Sequence, residues 1–171
     1  MTTYFKATRP DGKDFATGTI DYGAALDSGE VVRHPVKTKV RDNAGTYLSI
    51  SVSASDCTGA SWPCRLFRVE PVGRVMANLS VSPNKRAVSA LRVVEELPAH
   101  QSLGPNGEQV AAFIEGCKTL TKDDWKKVIA ARDAAWGAAR AIVARDLITV
   151  EQYDLLTQPF VDAGFAAMVG R

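Results

Sequence analysis

Apolar residues recur along this chain with two different periods, and the period changes near residue 98. Ahead of that point the spacing is close to two. In YLSISVS (47–53), Leu48, Ile50 and Val52 fall on one side and Ser49, Ser51 and Ser53 on the other, the pattern of a half-buried strand. YFKATR (4–9) predicts a strand ending in the turn PDGKD, and FATGTI (15–20) and EVVRH (30–34) predict short strands between loops bearing Gly and Asp. CRLFRVEPV (64–72) and ALRVVEEL (90–97) are longer strand candidates. Between them, PVGR and SPNK leave room for another over RVMANLS (74–80).

Beyond Pro98 the spacing becomes helical. GPNGEQVAAFIEGCKTL (104–120) predicts a helix entered from a Gly/Pro/Asn turn. TKDDWKKVIAARDAAWGAARAIVARDL (121–147) predicts a longer one, with Thr121 as N-cap, Asp124 in the first turn and abundant alanine. Its apolar stripe runs through Trp125, Val128/Ile129, Ala135/Trp136, Ala139 and Ile142/Val143. Thr149 caps a last segment in which Val150, Tyr153 and Leu156 share a face and Pro159 should break or kink the helix. The expected fold is α+β. A small antiparallel sheet or partial barrel over 1–98 precedes a helical subdomain of about three helices over 99–171, packed together as one compact unit.

Composition narrows this picture only slightly. The 171 residues are 46% hydrophobic and 23% charged, enough to bury a core. A net charge of +2 does not by itself point to nucleic acid or an anionic membrane. No apolar run is long enough for a bilayer, and MTTYFKATRPDGKDF lacks the apolar stretch of a signal peptide, so a cytoplasmic address without membrane contact is expected. The three cysteines, Cys57, Cys64 and Cys117, would then remain thiols.

Five sets of residues carry candidate chemistry. In CTGASWPCRLFRVEPVG (57–73), six residues separate Cys57 from Cys64, too many for a zinc knuckle, and no Cys-x-x-Cys motif is present. With only His34 and His100 to supplement the thiols, no metal is expected. The stretch reads as a turn, a packed Trp62 and a strand entered at Pro63. RHPVKTKVR (33–41) would align Lys37, Lys39 and Arg41 on one face of an extended segment. Cations of this kind protect a sheet edge from association, and anion or nucleic-acid binding is the alternative.

Arg9, the strand serines Ser49 and Ser51, and Glu95 with Glu96 follow the order of the arginine, Ser-x-Ser and glutamate in ADP-ribosyltransferases, which they resemble. The resemblance implies an NAD-binding enzyme in which Arg9 holds the pyrophosphate and Glu95 steadies an oxocarbenium-like ribose. Strict alternation puts Glu95 on the face of Leu91 and Val93. Pairing of the glutamates with a basic neighbour such as Arg92 is the simpler reading.

The last two sets lie in helical segments. Arg132, Trp136 and Arg140 lie at four-residue steps, where guanidinium groups can stack on indole and a protein partner can find an anchor. Trp125 is expected in the core, and Trp136 is open between core and surface. Further on, Gln152, Asp154, Leu155 and Leu156 resemble the peptide by which bacterial proteins dock on the polymerase sliding clamp. Such peptides bind extended, whereas the spacing here argues for a packed helix.

WPCRLFRVEPVG (62–73), PNKRAV (83–88), LRVVEELPAH (91–100), the Gly-Pro-x-Gly turn (104–107) and the Trp/Ala/Arg-rich helix together resemble an uncharacterised family of actinobacterial and actinobacteriophage proteins, mycobacteriophages included. The resemblance supplies no catalytic residues and implies a host bacterial cytoplasm. The leading expectation is therefore a non-enzymatic accessory protein, without a cofactor, that binds a host protein through Arg132, Trp136 and Arg140.

Overall fold

The computed structural model describes every residue except Met1, 37–42, 58–60, Asn78, Ser80, Val81 and 131–133. The fold is α+β, with the strands in the first part of the chain and most of the helices in the second. Chain contacts divide it into two units, Met1–Ser102 and Leu103–Arg171.

The first unit is a six-stranded antiparallel sheet formed by β1 (Tyr4–Thr8), β2 (Val31–Arg33), β3 (Leu48–Ser51), β4 (Arg65–Pro71), β5 (Lys85–Val88) and β6 (Ala90–Leu97). The order across it is β2-β6-β4-β1-β3-β5. Consecutive strands β5 and β6 lie at opposite sides of that order, yet only Ser89 separates them. With 3.8 Å between successive Cα atoms, Val88 and Ala90 can be at most about 7.6 Å apart. The sheet must curl until these ends meet, and it forms a half-barrel. The corner is tied by His34 N–H donating to the Ser89 carbonyl at 2.9 Å and Val72 N–H to that of Ala90 at 2.9 Å.

Both faces of the sheet are apolar at its centre. Leu48, Ile50, Phe67, Val69, Val88, Leu91 and Val93 form one core with Tyr22 and Ala25 of α1 (Tyr22–Ser28). Ala7, Cys57 and Leu66 bury the opposite face beneath Phe5, Phe15 and Leu97. Helix α1 lies where the sequence pattern suggested only a loop. Asp21 caps it by accepting from Ala24 N–H at 2.8 Å, and Gly29 ends it at φ 72°.

FATGTI is not a strand. The Asp14 carboxylate gathers it into turns by accepting from the backbone of Thr17, Thr19 and Ile20 and from the Thr17 hydroxyl. The strand expected over 74–80 also moves. Met76 and Leu79 make isolated bridges, and the ladder forms at β5.

In the second unit α2 (Gly107–Thr119), α3 (Lys122–Ala130), α4 (Ala134–Val143) and α5 (Val150–Asp162) enclose Val110, Phe113, Val128, Ala138, Ala141, Ile142, Tyr153, Phe160 and Val169. The helix expected over 121–147 is thus described as α3, α4 and a short 3-10 turn at Arg145–Leu147. The Phe113 and Phe160 rings pack with centroids 5.2 Å apart, and the Tyr153 hydroxyl donates to the Val169 carbonyl at 2.7 Å. Gly137 lets α4 approach α5 closely, because a Cβ there would lie 3.3 Å from the Leu156 carbonyl oxygen. Helix α5 does not end at Pro159. Leu155, four residues before it, is exposed, so water can take the place of the missing N–H donor. The buried stripe of α5 is Tyr153, Thr157 and Phe160, which leaves Val150 and Leu156 outside, contrary to the expected spacing.

Candidate functional site

The arginine, serine and glutamate of the transferase pattern are not brought together. Arg9 follows β1 and donates to the Phe15 carbonyl at 3.1 Å, covering Gly18. The Ser51 hydroxyl donates to the Asp56 carbonyl at 3.0 Å. Ser49 and Glu95 lie on β3 and β6, with β4 and β1 between them in the sheet.

Glu95 also faces the wrong way for that chemistry, for a definite reason. Arg68 pairs with Glu95 and Val69 with Val93, so Val94 is an extra residue in the ladder. This β-bulge reverses the alternation beyond Val93 and turns Glu95 outward. There it accepts from Arg68 Nε at 2.8 Å, and this hydrogen bond lowers the carboxyl pKa. Glu96 is held by Arg65 at 2.8 and 2.7 Å, which likewise lowers its pKa. The basic partners are Arg68 and Arg65 rather than Arg92.

Cys57 and Cys64 are buried and Cys117 is half-buried, and they do not form a joint site. Cys57 Sγ lies 3.7 Å from the Ser53 carbonyl, Cys64 Sγ lies 3.4 Å from the Ser102 hydroxyl, and no disulfide is formed. Burial raises the Cys57 pKa, opposed by a hydrogen bond with Ser51 and the nearby lysines. Among the described residues, no cluster of His, Cys, Asp or Glu is placed to hold a metal. Lys37, Lys39, Arg41 and Arg132 lie outside the described residues.

Two features do stand out, one in each unit. The first is a cavity of about 330 Å³ beside the sheet, lined by Lys6, Lys85, Asp14, Tyr22, His34 and Ser49 among others. Sequence reading missed it because its lysines are 79 positions apart and come together only through the β1-β3-β5 pairing. Lys6 Nζ donates to the Ser49 carbonyl at 3.1 Å and stands 5.2 Å from the centre of the Tyr22 ring. Lys85 Nζ donates to the Cys57 carbonyl at 3.3 Å. The Lys6 residue is half-buried. Burial, with Lys85 adding repulsion, lowers its pKa to about 8. Burial disfavours ionisation of Asp14 too, yet hydrogen bonds from Thr17, Ile20 and Gly18 outweigh it and hold the carboxyl near a pKa of about 2.

The second feature is a set of exposed apolar side chains on the helical unit. Apart from Val36, the large hydrophobic residues found exposed among the described residues all belong to it: Trp136, Val143, Leu147, Val150, Leu155 and Leu156. Trp136 is 70% exposed, and the Arg140 guanidinium carbon stands 5.8 Å from its ring centre. The α4 side facing the core is Ala138, Ala141 and Ile142, so Trp136, Arg140 and Val143 occupy the opposite side at helical spacing. Trp125, in contrast, is half-buried against the helical core. The clamp-like residues do not form an extended peptide. They lie within α5, where Gln152 completes a capping box with Thr149 and Asp154 pairs with Arg171 at 3.4 Å. Of the four, Leu155 and Leu156 join the exposed set.

No protein-family model, curated protein or solved structure matches the chain. Among the described residues no helix is long and apolar enough to cross a membrane.

Proposed function

We propose that the protein acts by binding another protein through the apolar surface of its helical unit, centred on Trp136 and Arg140 with Leu155 and Leu156. The observation that carries this reading is the concentration of exposed large hydrophobics on α4, α5 and the turn between them. Apolar side chains gathered in water are a standing cost that burial against a partner removes. Trp and Arg are the residues in which binding energy tends to concentrate, and stacking on Arg140 orders Trp136 before a partner arrives. The resemblance to actinobacterial and actinobacteriophage proteins favours a phage-encoded accessory role with a host protein as partner.

The test is capture from an actinobacterial lysate with wild type, Trp136→Ala and Leu155→Asp, followed by a binary titration with the purified partner. Loss of a central Trp is expected to weaken the complex by at least ~30-fold, the equivalent of about 2 kcal/mol. Equal affinity for all three proteins would remove this surface from consideration.

A further inference from the structure

We propose that the cavity beside the sheet binds a small organic anion, with its phosphate or carboxylate head on Lys6 and Lys85 and its apolar body against Phe15, Ile20, Tyr22 and Leu48. The inference goes beyond protein binding by the helical unit and concerns the other unit of the chain.

Charge balance is the first argument. Two ammonium groups line one cavity, and among the described residues neither forms an ion pair. Each ammonium has three N–H donors, and the described acceptors are one backbone carbonyl each, Ser49 for Lys6 and Cys57 for Lys85. Asp14 acts on Lys6, and Asp56 on Lys85, only through space, and neither carboxylate forms an ion pair with either lysine. Both Asp14 oxygens are engaged by the 14–20 loop, Oδ1 by Thr19 and Ile20 N–H at 3.0 and 2.9 Å and Oδ2 by Thr17 N–H at 2.6 Å. His34 is likewise turned to its own loop, its Nδ1 accepting from Val36 N–H at 3.2 Å.

Desolvation is the second argument. A desolvated cation outside any ion pair opposes folding, and the pKa of Lys6, lowered to about 8 by burial and by Lys85 despite the more distant Asp14, registers that opposition. At neutral pH the amine is still mostly protonated. An anion entering the cavity would find two donors already desolvated and held by the sheet, so charge-assisted hydrogen bonds would form with little reordering.

The walls give the third argument. Ala7, Phe15, Ala16, Ile20 and Leu48 make much of the lining apolar, which suits a ligand with one acid group and a compact hydrocarbon or aromatic body. About 330 Å³ limits such a ligand to the size of a small metabolite.

The experiment is a titration followed by amide chemical shifts, using phenyl phosphate, benzoate and, as a neutral control, benzyl alcohol. Saturable binding of at least one anion with Kd below about 1 mM is expected, with shifts at Lys6, Ile20, Ser49 and Lys85 and none with the alcohol at about 10 mM. The two anions distinguish a phosphate site from a carboxylate site. Lys6→Met, which keeps the stem and removes the charge, should weaken binding at least ~10-fold, as should Lys85→Met. Lys6→Met should also raise the thermal midpoint of the free protein, because a desolvated charge outside any ion pair is gone. If that variant fails to fold, Lys85→Met carries the test. No saturation by either anion, or unchanged affinity in the folded lysine variants, would overturn the proposal.

Discussion

Replacing Asp14 by Asn should remove a large part of the order in the loop between β1 and α1, and the structure gives a scale for the loss. The residue is 6% exposed, and its carboxylate accepts from the backbone of Thr17, Thr19 and Ile20. The fall in pKa from 3.8 to about 2 corresponds to about 2.4 kcal/mol of native-state preference for the ionised form, at 1.36 kcal/mol per pH unit. Asn removes the charge and also sets an NH2 group against one of the N–H donors, adding about 1 kcal/mol. The expected destabilisation at pH 7 is therefore about 3 kcal/mol, measured by urea denaturation.

The pH dependence separates charge from shape. A carboxylate whose folded pKa lies below its unfolded value contributes fully above about pH 5, and the contribution fades as pH falls through 2. Near pH 3 roughly half of it should remain, about 1.3 kcal/mol. Wild type and Asp14→Asn should thus converge in stability between pH 5 and 2. Parallel curves across that range, or a loss below about 1 kcal/mol at pH 7, would refute the account of the loop as organised by the Asp14 charge.

Three other outcomes test the packing. Phe160→Ala removes a fully buried ring packed on Phe113 and should lower stability by about 3–5 kcal/mol in a denaturant titration, the range for a large core deletion. Tyr153→Phe leaves the Val169 carbonyl without its buried donor and should cost about 1–2 kcal/mol, with faster amide exchange in the last turn. Under native conditions a thiol reagent should modify Cys117, the most exposed of the three, ahead of Cys57 and Cys64. All three should react together once urea unfolds the chain.

The α+β division and several strands were legible because a hydrophobic period is a local property. YLSISVS and CRLFRVEPV carry the alternation that a half-buried ladder requires, and β3 and β4 form within them. Helix α1 was harder to see, since seven residues give barely two turns. Its signals were Asp21 ahead of Tyr22, Ala25 and Leu26, with Gly29 behind. FATGTI alternates convincingly, but the Asp14 carboxylate before it offers its N–H groups a nearer acceptor than a neighbouring strand. Glu95 was misplaced because one unpaired residue, Val94, inverts every side chain after it, and no local pattern announces a bulge. The pattern of α4 left Trp136 open between core and surface because alanine can fill a close helix contact, and here Ala138 and Ala141 do so while the larger residue faces water. The lysine cavity depends on strand order, which a single sequence does not encode at any one position.

Ser89 ties the mechanics of the half-barrel together. Since the ribbon on either side of it belongs to opposite margins of the sheet, fraying at one margin pulls directly on the other. Amides of β5 and of β2–β6 should therefore lose protection at the same denaturant concentration rather than in sequence. A flexible insertion at this corner would uncouple them, giving two separate exchange thresholds where the native chain has one.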